Sequence, residues 1–187
     1  MNSAKISCFI AGVLTASVAM AQEPKLVNAV DQIQNLAKTL KQVKSEAKVP
    51  VLFPEVVPQS SDKKKYFANR DLTMTQNGYS YWINVDSTAK CNGVKYCNIG
   101  NFIARKDAAP EQFVDRDNKP ITENVKLAKD TQGYFTPGHA QGDFFPANIQ
   151  WMTKGVLYSL TWSKDMAKND EKNSMVAMAN SAISAGK

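Results

Sequence analysis

His139 is the one histidine of the 187-residue sequence, and Asp143 stands four residues after it in the stretch PGHAQGDFFP, Pro137–Pro146. An imidazole held beside a carboxylate can act as a general base, and with a serine or tyrosine from elsewhere the pair would make a small hydrolase. The same glycines and prolines that could mould a pocket around them also make an ordinary surface turn. Joined by Asp130, the two would form only a loose, oxygen-rich metal site, because the aspartates lack the spacing of a calcium loop. GHAQG has neither the spacing nor the lysine of a phosphate-binding loop, and no motif calls for a cofactor.

Cys91 and Cys97 bracket Asn92-Gly93-Val94-Lys95-Tyr96. A redox-active pair places its thiols two residues apart at a helix start, whereas here five residues intervene and the first two favour a reversal. Zinc would need two further ligands. A structural disulfide across an Asn-Gly turn is therefore expected, and closing so small a loop should contribute roughly 2 to 3 kcal/mol. The third cysteine, Cys8, falls in a leader. Lys5 gives a positive start, Ile6–Val18 is an almost unbroken apolar run, and Ala19-Met20-Ala21 fits signal-peptidase cleavage before Gln22. Residues 1–21 are thus expected to be a cleaved signal peptide. The product, 22–187, is expected to be periplasmic or secreted, with no transmembrane segment after cleavage and an even cysteine count suited to an oxidising compartment.

Positioning these residues requires a core, and 22–187 is long enough for one α+β domain. Leu26, Val30, Ile33, Ala37 and Leu40 recur at helical spacing and predict an N-terminal amphipathic helix over 24–48. Val49–Pro58 alternates proline with bulky apolar residues and reads as an extended segment laid on a hydrophobic face. Asn77-Gly78 turns into Tyr79–Val85, whose alternation puts Trp82 on the polar side, and Asn98–Ala104 reads as its antiparallel partner. A polar connection over Asp107–Pro120 precedes a strand in Ile121–Leu127. Ala147–Met152 and Val156–Trp162 make a hairpin around Lys154-Gly155. A last helix starts near Asn169 or Asp170, with Met175, Met178, Ala179, Ala182 and Ile183 on its apolar face. The expected architecture is a twisted antiparallel sheet of about five to seven strands packed against an N-terminal and a C-terminal helix.

Gly133–Phe135, Ala147–Trp151, Gly155–Leu160 and Met178–Ser181 together resemble small exported bacterial domains of uncharacterised function, in which an antiparallel meander is closed by a C-terminal helix. Related patterns occur in sensing regions attached to anti-sigma factors. The resemblance covers about residues 79–183 and implies a fold but no catalytic residue. The cysteine loop and the Asp107–Pro120 connection depart from it.

The formal charge of +6 is modest. Basic residues do not interleave with strand aromatics as a nucleic-acid stacking platform would require, and export argues against such a partner. The leading expectation is a non-enzymatic exported protein that binds another protein or a cell-envelope component. Its candidate binding surface is Trp82, Tyr96, His139, Asp143 and Trp151. The alternatives are a secreted inhibitor or virulence-associated effector using the disulfide-closed loop, and the small hydrolase using His139.

Overall fold

A computed structural model describes residues 25–91, 93–141, 143–163, 166 and 170–186, with the side chains of 140, 141, 143 and 144 outside the description. The expected signal peptide and Asn92 fall outside the described residues. In chain order the elements are β1 (Leu26–Asn28), α1 (Ala29–Gln32), β2 (Ile33–Gln34), α2 (Leu36–Glu46), β3 (Val56–Pro58), β4 (Tyr66–Arg70), α3 (Leu72–Gln76), β5 (Tyr81–Asp86), β6 (Asn98–Lys106), β7 (Glu123–Lys126), β8 (Gln132–Thr136), β9 (His139–Gln141), β10 (Asp143–Phe145), β11 (Ala147–Thr153), β12 (Val156–Trp162) and α4 (Glu171–Ala185). A short 3-10 turn covers Ala128–Asp130.

The fold is α+β. Among the described residues its main sheet has eight strands in the order β2-β4-β5-β6-β12-β11-β8-β7. All neighbours are antiparallel except the short parallel pair of β2 with β4. The chain builds β4, β5 and β6 in succession, then crosses to the far edge at β7 and returns through β8, β11 and β12 to meet β6. Alternation sends Ile83, Val85, Phe102, Ile149, Leu160 and Trp162 to one face. There they join Leu36 and Val43 of α2 and Met175, Met178, Ala179 and Ala182 of α4 in one apolar cluster. The small side chains of α4 let it lie close on the sheet, as its sequence predicts.

The single N-terminal helix expected over 24–48 is broken. Its leading residues pair with Val56–Pro58 as a ribbon, and the Asn28 side chain then accepts a hydrogen bond from Val30 N to start α1. Ile33 and Gln34 join the sheet edge beside Tyr66 and Phe67, and Asn35 turns the chain at φ 62° into α2. The apolar spacing of three and four is therefore shared among a ribbon, a turn and a helix, and Val30 is left 56% exposed. Leu72–Gln76 is a short helix, because the Asp71 carboxylate accepts from Met74 N and caps it.

Two buried tyrosines fasten the proline-rich segment to the sheet. Tyr81 Oη donates to Leu52 O at 3.1 Å and accepts from Leu52 N at 3.2 Å, and Tyr158 Oη donates to Pro50 O at 2.9 Å. Burial pushes the Tyr158 phenol up to about 12, and burial followed by the neighbouring Tyr158 raises that of Tyr81 well above its ordinary value.

The seam between β6 and β12 is tight at Gly100, opposite Trp162. A Cβ there would run into the Thr161 carbonyl oxygen and come within 2.8 Å of Trp162 Cε3. Gly100→Ala is accordingly expected to cost roughly 3 kcal/mol, seen as a lower urea midpoint with an unchanged slope. The tyrosine phenols are neutral in the fold and ionise near pH 10 when unfolded. Their stabilisation is fully present below pH 10 and is lost as pH rises toward 12. A melting-temperature profile should fall over that window, and the double variant Tyr81→Phe, Tyr158→Phe should flatten the fall while lowering the melting temperature at neutral pH.

Candidate functional site: a stapled loop beside a polar groove

Cys91 and Cys97 form a disulfide with an S–S distance of 2.06 Å. Both half-cystines are buried, while the loop they close presents Tyr96 at 84% exposure and Val94 at 46%. The backbone inside the loop is tied down by turns, Val94 N donating to Cys91 O at 3.2 Å and Cys97 N to Val94 O at 3.0 Å.

Below the loop lies Asp86, whose carboxylate is wholly buried. It accepts from Asn98 Nδ2 at 2.9 Å, Asn69 Nδ2 at 3.1 Å and Gly93 N at 3.3 Å. Strands β4, β5 and β6 and the loop thus share one acceptor. Gly93 takes φ +75°, and a Cβ on it would meet Asn84 Nδ2 at 2.7 Å, so glycine is required on both conformational and spatial grounds. The Asn84 amide in turn accepts from Trp82 Nε1 at 2.8 Å.

Trp82 connects the loop base to the sheet face that faces away from the apolar cluster. Tyr79 packs edge-on against it at 4.9 Å, and the Arg105 guanidinium lies over the Tyr79 ring. One cross-strand row on this face runs Asn84, Asn101, Thr161, Asn148 and Thr136 through β5, β6, β12, β11 and β8. The connection after β6 lies over part of the face, because Glu111 N donates to the buried Gln150 Oε1 at 2.8 Å and Phe113 N to Thr122 Oγ1 at 2.9 Å. A groove of about 230 Å³ results, bounded by Trp82, Phe113 and the amides of Asn101, Asn148 and Gln150.

The other candidates are placed elsewhere. Trp151, expected on a binding surface, is only 2% exposed and stacks on Tyr158 at 5.7 Å, since it falls on the inward register of β11. His139 is half-buried, with Nδ1 3.0 Å from Pro137 O and its ring stacked on Phe145. The Asp143 side chain lies outside the described residues. Among the described residues no cluster of His, Cys, Asp and Glu could hold a metal ion, and no helix is long and apolar enough to cross a membrane. Asp86 and the amide row are absent from the sequence-based candidates. Their signal was the neutral amides at outward strand positions where a solvated sheet ordinarily carries charge.

Replacing both cysteines by serine is expected to lower stability by about 2 to 3 kcal/mol. Asp86→Ala, which strands three donors in a buried place, should be at least as damaging, at roughly 3 kcal/mol. Chemical denaturation of the two variants measures both. In comparison with protein-family models, curated proteins and solved structures, the chain matched none.

Proposed function

We propose that this is an exported protein that engages a partner protein through the disulfide-closed loop, in the manner of an inhibitor or effector. One observation carries the reading: Tyr96 stands 84% exposed on a loop whose base is fixed by the Cys91–Cys97 bond and by buried Asp86. A large aromatic ring kept in water is an expense the fold does not need, and tyrosine is among the residues that most often dominate binding energy at interfaces. Holding such a ring on a prefixed backbone reduces the ordering cost on association. Val94 extends the apolar tip. The expected leader supports export, and the disulfide, which persists in oxidising compartments, agrees with it.

The test is partner capture by the 22–187 protein from the exported fraction, followed by affinity measurement on the protein retained. Tyr96→Ala is expected to weaken binding roughly thirtyfold, a loss of about 2 kcal/mol, with the melting temperature unchanged. Equal affinity for the two proteins would remove the loop from the interaction.

A further inference from the structure

We propose that the groove on the open sheet face is a binding site for a neutral carbohydrate, separate from the loop and its partner. Its floor is made of Asn101, Thr161, Ser159 and Asn148, whose amides and hydroxyls both donate and accept hydrogen bonds. Sugar hydroxyls do the same. The pattern therefore suits a polyhydroxylated ligand better than one made only of acceptors or only of apolar surface.

The floor is already partly knitted. Thr161 Oγ1 accepts from Asn101 Nδ2 at 3.2 Å, and Asn148 Nδ2 donates to Ser159 Oγ at 2.9 Å. The remaining polar atom of Asn148, Oδ1, is buried without a hydrogen-bond partner. Turning the amide over exchanges the atoms and leaves the other one unmatched, so the vacancy does not depend on the assignment. An unmatched buried polar atom of this kind costs stability. Small adjustment of the amide would let it meet a ligand hydroxyl.

The wall supplies the second half of the recognition. Trp82 is partly exposed, and its indole N–H is engaged by Asn84, which leaves ring surface available for the C–H face of a sugar. Arg105 and Glu111 put one charge of each sign at the rim, giving the groove no net preference for anions or cations. An extended peptide pairs with a free sheet edge, whereas this groove lies over central strands whose backbone groups are engaged on both sides. The cavity, about 230 Å³, has room for a single sugar ring, with the chain of a longer glycan running out past Trp82.

The experiment is titration of the 22–187 protein with maltohexaose, cellohexaose and chitohexaose, alongside polygalacturonate fragments as anionic counterparts, read by tryptophan fluorescence and calorimetry. Trp151 and Trp162 are buried, so a ligand at this site reports through Trp82. Saturable binding of a neutral oligosaccharide is expected, with Asn148→Ala and Ser159→Ala each weakening it about tenfold while both variants keep a cooperative melting transition. Tyr96→Ala should leave sugar binding intact, which separates this site from the loop. The inference is overturned if no neutral oligosaccharide binds, if only the polygalacturonate binds, or if binding is indifferent to both groove variants.

Discussion

The antiparallel pairing of Asn98–Lys106 with Val156–Trp162 is the constraint on which the rest of the structure depends. It joins a sheet half built before the long connection to one built after it. The register runs through seven residue pairs from Val156 with Lys106 to Trp162 with Gly100. A slip by one residue would turn Tyr158, Leu160 and Trp162 toward the polar face and carry Ser159 and Thr161 into the core. Gly100 guards against it, because only the absence of a side chain lets Trp162 settle across the seam. Trp162 then receives Tyr66 and Phe102 edge-on, linking strands from both halves.

That register also makes the two features proposed for binding. Since successive side chains point to opposite faces, fixing Leu160 and Phe102 inward places Thr161 and Asn101 side by side outward. The same alternation along β5 buries Ile83 and Val85 and sends Trp82, Asn84 and Asp86 the other way. Asp86 sits where the pairing of β5 with β6 shifts register, and this irregularity opens space for the loop to fold back upon it. The loop and the groove are therefore neighbours by construction, sharing the Trp82–Asn84–Gly93 contacts, although different side chains would meet their ligands.

The core face is closed by strapping as much as by helix packing. Leu52 and Phe53 are buried, with Phe53 against Phe102 at 4.1 Å, and the tyrosine hydroxyls satisfy the backbone of the same stretch. Prolines suit this role because they present fewer donors for burial and hold the chain extended. Glu55 N is matched in turn by Ser181 Oγ of α4, so the strap touches sheet and helix together.

By itself the sequence determined the α+β class, the antiparallel hairpin of β11 with β12, the pairing of β5 with β6, the terminal helix and the disulfide. Each rests on short-range physics: alternation, turn residues, helical apolar spacing and a small closed loop. What only the tertiary structure decided is the fate of residues whose pattern fits more than one partner. The stripe of Leu26, Val30, Ile33, Ala37 and Leu40 satisfies a helix, yet Ile33 and Gln34 reach a better-paired place beside β4, and edge pairing overrides spacing. Trp151 and Trp82 both lie in strands bearing polar neighbours, and which tryptophan faces the core depends on register across the seam. Asp86 could be recognised as an anchor only once Asn69, Gly93 and Asn98 had been brought around it. Local sequence states what each segment can form, but burial of a carboxylate or exposure of a tyrosine is settled by segments distant in the chain, because they supply the missing donors and the missing surface.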